Sequence, residues 1–417
     1  MKKILLCLVF ITLSQLFSQE NRLEKLLLNS PQYFSDLTNN PEKYRVQIIY
    51  TQIDRDKNNF AHFKTFEYRV NENEYFYPAS TVKLAASVLA LGKINSLKKF
   101  GVNKHSPIIN LKNRNLQIES RIDSTSENKL PSVANYIKKI FLVSDNDAYN
   151  RLYELLGQNN FNEEMSKKGF SGVRFTHRLQ LPLPREENRI TNPIFILNNK
   201  DTSKIIWMQD EATNKNIIKS PTEILLGKGF MDDSGTVSLQ PFDFTYRNSF
   251  PIKAQHEFLQ RLFFPEVFSK EKQFNLTKDD YQFIYKYMSM FPQESKFPVF
   301  LVDSIYYPTS CKFIFYGSDK KIIPDSNIRI FNKIGGAYGF LLDNAYFVDF
   351  ENKIEFIVSA VILCNEDEIF NDDKYDYEKV GYPFFKNLGK VLYDYELNRE
   401  KEFLPDLSKF KFNYLEN

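Results

Sequence analysis

At 417 residues, 42% of them hydrophobic and 26% charged, the chain is long enough for two or three ordinary domains or one large enzyme. That composition excludes a wholly disordered or collagen-like protein. The 55 Lys+Arg and 52 Asp+Glu leave a net charge of +3 with no long run of one sign, so neither nucleic acid nor an anionic membrane surface is expected as a principal partner. Aromatic residues reach 15%, carried by 39 Phe and 24 Tyr, so rings must fill much of the core.

In chain order, the first feature is a leader. Met1-Lys2-Lys3 is followed by an apolar run from Ile4 to Leu13, broken only by Thr12, and then by the small and polar residues Ser14 to Ser18. This pattern predicts a secretory signal peptide over 1–19 and a mature chain in the periplasm or outside the cell. The run is too short for a spanning helix, which needs ~20 apolar residues. Beyond the leader only Cys311 and Cys364 remain, each beside a strand-like run (Lys312 to Tyr316, Phe356 to Ile362). They could form a bridge or stay as two buried thiols. The four histidines lack a paired helical spacing, so neither a metal nor another cofactor is expected.

Alternating apolar residues predict strands at Tyr44 to Ile53 and at about His62 to Val70. The segment Leu84 to Leu91 is apolar on every face, which predicts a helix buried at the centre of the molecule. Helical periodicity returns at Val133 to Val143 and at Ala148 to Leu156, where Gly157 is a natural stop. Polar, irregular text from about Ile190 to Phe250 reads as inserted hairpins and loops. Helices are expected again at Ala254 to Phe264 and Lys278 to Met290. Strands come next at Asn327 to Phe331, Ala345 to Phe350 and Glu355 to Ile362, then a closing helix over about Tyr377 to Tyr395. No fixed-period repeat or low-complexity linker marks a second independent domain.

Three short groups carry chemistry. Ser80 lies three residues before Lys83 at the start of the apolar helix, which puts both side chains on one face, one turn apart. A lysine there can accept the serine proton if burial and a second cation depress its pKa. Serine three before lysine also occurs at Ser96, Ser126, Ser269, Ser318 and Ser408, but only Ser80 opens a long apolar helix. The structural alternative for Ser80 is a helix cap. The second group, Ser144-Asp145-Asn146, occurs once, between two predicted helices, and could simply be a turn that caps the second of them. The third, Lys333-Ile334-Gly335-Gly336, lies in strand text near the carboxyl end. Its glycines would let a ligand approach the backbone, or mark a bulge.

In this order the groups resemble the Ser-x-x-Lys, Ser-Asp-Asn and Lys-Thr-Gly elements of the serine β-lactamase and penicillin-binding family, and most closely the class A β-lactamase catalytic domain. The resemblance implies an α+β fold over 20–417: an α/β sandwich of antiparallel sheet flanked by helices, with an all-helical subdomain at about 85–185 and an insertion at about 190–255. It implies a monomeric enzyme acting on a small molecule, a β-lactam or a D-alanyl peptide, without metal. Ser80 would be the acylated nucleophile, Lys83 its proton acceptor and Ser144 a proton shuttle, with Lys333 supplying positive potential. Asn146, Ile334, Gly335 and Gly336 would line the substrate site, and the N–H groups of Ser80 and Gly336 would form the oxyanion hole.

Hydrolysis of a β-lactam is the preferred reading; a D,D-peptidase and a binding protein that has lost turnover are the rivals. Three features depart from the family pattern. Ile334 stands where a Thr or Ser hydroxyl is usual. Reading on from Arg178-Leu179, Leu183 falls where class A enzymes carry a water-activating glutamate, so Glu187 or its neighbour Glu186 is expected to serve from a slightly longer loop. Finally, Ser144 and Lys333 are unusually far apart, and the insertion accounts for most of the distance.

Overall fold

A computed structural model describes residues 21–112, 118–303 and 305–414; the expected leader at 1–19 lies outside them. Two short helices come first, α1 (Arg22–Leu28) and α2 (Pro31–Asn39), and the sequence pattern predicts neither. The hairpin β1 (Gln47–Arg55) and β2 (Ala61–Tyr68) comes next, then α3 (Val82–Ser96). The helical region holds α4 (Val133–Val143), α5 (Asn146–Leu156) and α6 (Gln158–Lys167), and after it comes the single turn α7 (Arg185–Asn188). Beyond the insertion lie α8 (Ile252–Phe263), α9 (Lys278–Ser289), β3 (Ile328–Ala337), β4 (Phe340–Asp349), β5 (Ile354–Leu363) and α10 (Tyr382–Asn398).

The five strands form one antiparallel sheet in the order β3-β4-β5-β1-β2. Side chains alternate between its faces, because successive residues of a strand point to opposite sides. Phe331, Tyr346 and Ile357 enter a core shared with α3, α4, α5, α8 and α9. Ile330, Phe347, Phe356 and Val358 enter a second core under α1, α2 and α10. The outcome is the expected α+β arrangement, a central sheet with helices on both faces. No helix among the described residues is long and apolar enough to cross a membrane.

Several expectations are corrected. Lys312 to Tyr316 is a turn, not a strand: the Asp343 carboxylate accepts the N–H groups of Phe313 and Ile314 at 3.1 and 3.0 Å, which a ladder would have needed. Lys333 to Gly336 does not interrupt the strand but continues it in β3, with Lys333 opposite Asn344. The closing helix starts later, after a π turn at Tyr377–Gly381. Both cysteines are free thiols, with Cys364 buried. The insertion holds short paired strands; Ile194–Leu197 pairs with Ile108–Asn110, and Gly229–Met231 with Ile369–Phe370.

Candidate active site

The turn Ala79–Thr81 runs directly into α3, so Ser80 and Lys83 occupy successive turns of one face. Because α3 is buried all the way round from Val82 to Leu91, Lys83 is drawn inside and is 0% exposed, while Ser80 keeps contact with solvent. Thr81, not Ser80, holds the N-cap position of α3, and no side chain caps that end. Gly335 lets β3 press on this turn: a Cβ there would lie 2.9 Å from the Pro78 carbonyl oxygen and 3.1 Å from Thr81 Cγ2.

Ser144-Asp145-Asn146 connects α4 to α5. Asp145 fulfils the capping role, accepting the Ala148 N–H at 2.7 Å. Ser144 closes α4 in the left-handed region at φ 58°, which leaves its side chain and that of Asn146 to face Lys83. The Lys83 ammonium donates to the Ser144 carbonyl, to Asn146 Oδ1 at 2.6 Å and to Ser144 Oγ at 3.2 Å. Lys333 reaches the same Ser144 Oγ at 2.8 Å and also binds the Ile334 carbonyl at 2.9 Å. One hydroxyl therefore sits between two lysines from distant parts of the chain. Ala79, Ser144, Gln180 and Tyr338 all have positive φ, as strained backbone often does around functional sites.

Burial dominates the electrostatics. It pushes Lys83 well below the usual lysine range, and the neighbouring Lys333 charge pushes in the same direction. Lys333 is lowered to about 8, again chiefly by burial. Lys83 thus has access to the neutral form that a proton acceptor requires.

The loop after α6 is held against one face of α5. Asn150, one turn beyond Asn146, accepts the Leu179 N–H at 2.8 Å and donates to the Leu179 carbonyl at 3.0 Å. A turn further on, Glu154 pairs with Arg178 inside the protein and accepts the Asn192 N–H. These anchors present Gln180, whose Oε1 accepts from Asn146 Nδ2 at 2.6 Å. Glu187, expected to be the loop carboxylate, lies in α7, where Arg178 binds its backbone carbonyl; Glu186 beside it is exposed. The loop side chain that meets the cluster is the amide of Gln180. Sequence reasoning misses Gln180, Asn150 and Glu154. Polar residues at 146, 150 and 154, spaced by four on an otherwise amphipathic helix, are the available signal. Ile334, expected at the substrate, packs its side chain against the second core, and Gly336 is exposed near the end of β3.

Residues 33–216, a little under half of the chain, match the model of the beta-lactamase enzyme family. The likeness is to the serine β-lactamase and penicillin-binding superfamily. Among solved structures, the class A beta-lactamase from Clostridium kluyveri is 16% identical, covering 87% of this chain and 98% of its own, with a TM-score of 0.47. A beta-lactamase from Xanthomonas campestris is 12% identical over 90% and 98%, TM-score 0.48. The chromosome-encoded beta-lactamase of Vibrio parahaemolyticus is 12% identical over 89% and 99%, TM-score 0.47. A search of curated proteins finds no match.

In this β-lactamase-like chain the insertion supplies one wall of a cavity of about 740 Å³. Tyr77, just before the Ser80 turn, and Tyr338, just after β3, line it together with the loop 176–185 and with Phe242 and Arg247 from the insertion. The ring of Tyr338 meets Tyr77 edge-on at 5.0 Å and Phe242 at 5.4 Å. The wall of this cavity is thus aromatic with a cation set against it, as Arg247 lies 5.3 Å from the Phe242 ring.

Proposed function

We propose that this β-lactamase-like hydrolase is acylated at Ser80 by β-lactams. The observation that carries the reading is Ser144 Oγ held between the Lys83 and Lys333 ammonium groups, with Lys83 itself on the helical turn that follows Ser80. Neutral Lys83 takes the Ser80 proton as Ser80 Oγ bonds to the amide carbon. The amide C–N bond then breaks, and its nitrogen receives a proton from Ser144, which is resupplied from Lys83. The N–H groups of Ser80 and Gly336 hold the oxygen on which negative charge develops, at a value of roughly 3 to 4 kcal/mol per donor. Lys333 attracts the substrate carboxylate, and the Asn146 amide holds the substrate's own amide.

The reading carries the chain's expected setting with it. A leader at 1–19 delivers the enzyme outside the cytoplasm, where it acts as a monomer on a small molecule. A second reading shares the acylation step: a D,D-peptidase that takes D-alanyl peptides, favoured by the Asn146–Gln180 contact, which brings an amide where water would have to be activated.

Labelling with a fluorescent penicillin tests both. The wild type should take up the label and Ser80→Ala should lose it entirely. Equal labelling of the two proteins would remove Ser80 from the chemistry.

A further inference from the structure

We propose that Gln180 makes the Ser80 ester long-lived, so that this protein is acylated readily and released slowly. The inference rests on acylation at Ser80 and concerns the fate of the resulting ester.

Asn146 is the hub of the site. Its Oδ1 accepts from Lys83 at 2.6 Å and its Nδ2 donates to Gln180 at 2.6 Å. The two neighbours therefore lie at opposite ends of one amide, with Lys83 on the Ser80 side and Gln180 on the loop side. Gln180 is exposed, so water reaches it. Its backbone is fixed at φ 53°. The paired bonds of Asn150 to Leu179 and the buried Arg178–Glu154 ion pair hold the preceding two residues. The amide is thus presented to the site by a rigid loop.

Release of the ester has a fixed proton balance. The water oxygen bonds to the acyl carbon, the bond from that carbon to Ser80 Oγ breaks, one water proton passes to a base and Ser80 Oγ regains a proton. On the loop side, the group touching the hub is an amide, which is not basic at any working pH; it can accept a hydrogen bond from water but cannot take its proton. Lys83 serves the other side, where it receives the Ser80 proton and must return it. Among the described residues no carboxylate hydrogen-bonds to Asn146, Lys83 or Ser144. Asp145 next to them is engaged in capping α5, and Glu154 is engaged by Arg178 and the Asn192 N–H. Around the hub, therefore, the groups for forming the ester are in place, and no carboxylate of the described residues is hydrogen-bonded there to activate water against it; Asp232, Asp233 and Asp243 belong to the cavity wall and not to the hub.

The test is Gln180→Glu, which keeps the size of the side chain and adds the missing base. Wild-type protein and Q180E are exposed briefly to benzylpenicillin, excess drug is removed, and intact mass is followed with time. The wild type should carry one penicilloyl adduct that persists for hours. Q180E should acquire the same adduct, which shows that it is folded, and lose it at least 100-fold faster, with multiple turnover of a chromogenic cephalosporin. Rapid loss of the wild-type adduct, or a Q180E adduct as durable as the wild-type one, would overturn the assignment while leaving acylation at Ser80 intact. Failure of the wild type to acquire any adduct would instead overturn the acylation reading itself, so the two failures are distinguishable.

Discussion

The two sides of the Asn146 amide are built from different chemistry. On one, two lysines drawn into the interior by an apolar helix and by the edge strand β3 share a hydroxyl, and burial lowers both their pKa values. On the other, a loop clamped by Asn150 and Glu154 offers a neutral glutamine. The first side can move protons and the second can only hold a water in place. Packing an apolar helix around a lysine is enough to generate a base, whereas activating water from solvent takes a specific side chain that this loop does not bring to the hub.

The contrast can be tested by changing one side at a time. Lys83→Met should slow acylation by about 10³-fold, within the usual range for a general base, and the fluorescent-penicillin labelling rate reads it. If the change slowed only release of the adduct, the division between the sides would fail. Gly335→Ala should slow acylation by roughly 100-fold, because the new Cβ must push β3 away from the Pro78 carbonyl and misplace Lys333 relative to Ser80. The same kinetics check it, and an unchanged rate would show that this close approach is dispensable.

The pH profile gives the smallest effect. Neutral Lys83 is the working form, so the acylation rate should rise with pH through its depressed pKa, by up to tenfold per unit, and then level off. Above about 8 Lys333 loses its proton, and with it the attraction for a substrate carboxylate, so the rate should fall again. A rate still climbing above pH 9 would mean that the Lys333 charge plays no part.

Much of the sheet and of the lysine side is legible in the residues. Alternation locates β1, β2 and β5 to within a few residues, and the unbroken apolar face of α3 foretells a buried Lys83. Lys312 to Tyr316 misleads because its aromatic text looks like a strand, while a carboxylate on β4 takes two of its N–H groups. The helices α1 and α2 escape sequence reasoning, being short and stabilised by the second core rather than by a long amphipathic pattern. The loop side is hidden for a related reason. Nothing in the text around Gln180 signals a site, since its conformation is set by Asn150 and Glu154, more than twenty residues earlier. Counting along the chain lands on Leu183 and leaves Glu186 and Glu187 of a longer loop as the expected glutamates, while a left-handed turn at 180 brings a different side chain to the cluster.

The most direct measurement of the central claim is peptide mapping after penicillin treatment. The protein is digested once the adduct has formed, and the modified peptide is sequenced by mass spectrometry. The added mass should reside on Ser80 alone. Its appearance on Ser144, on another residue, or nowhere would contradict the account.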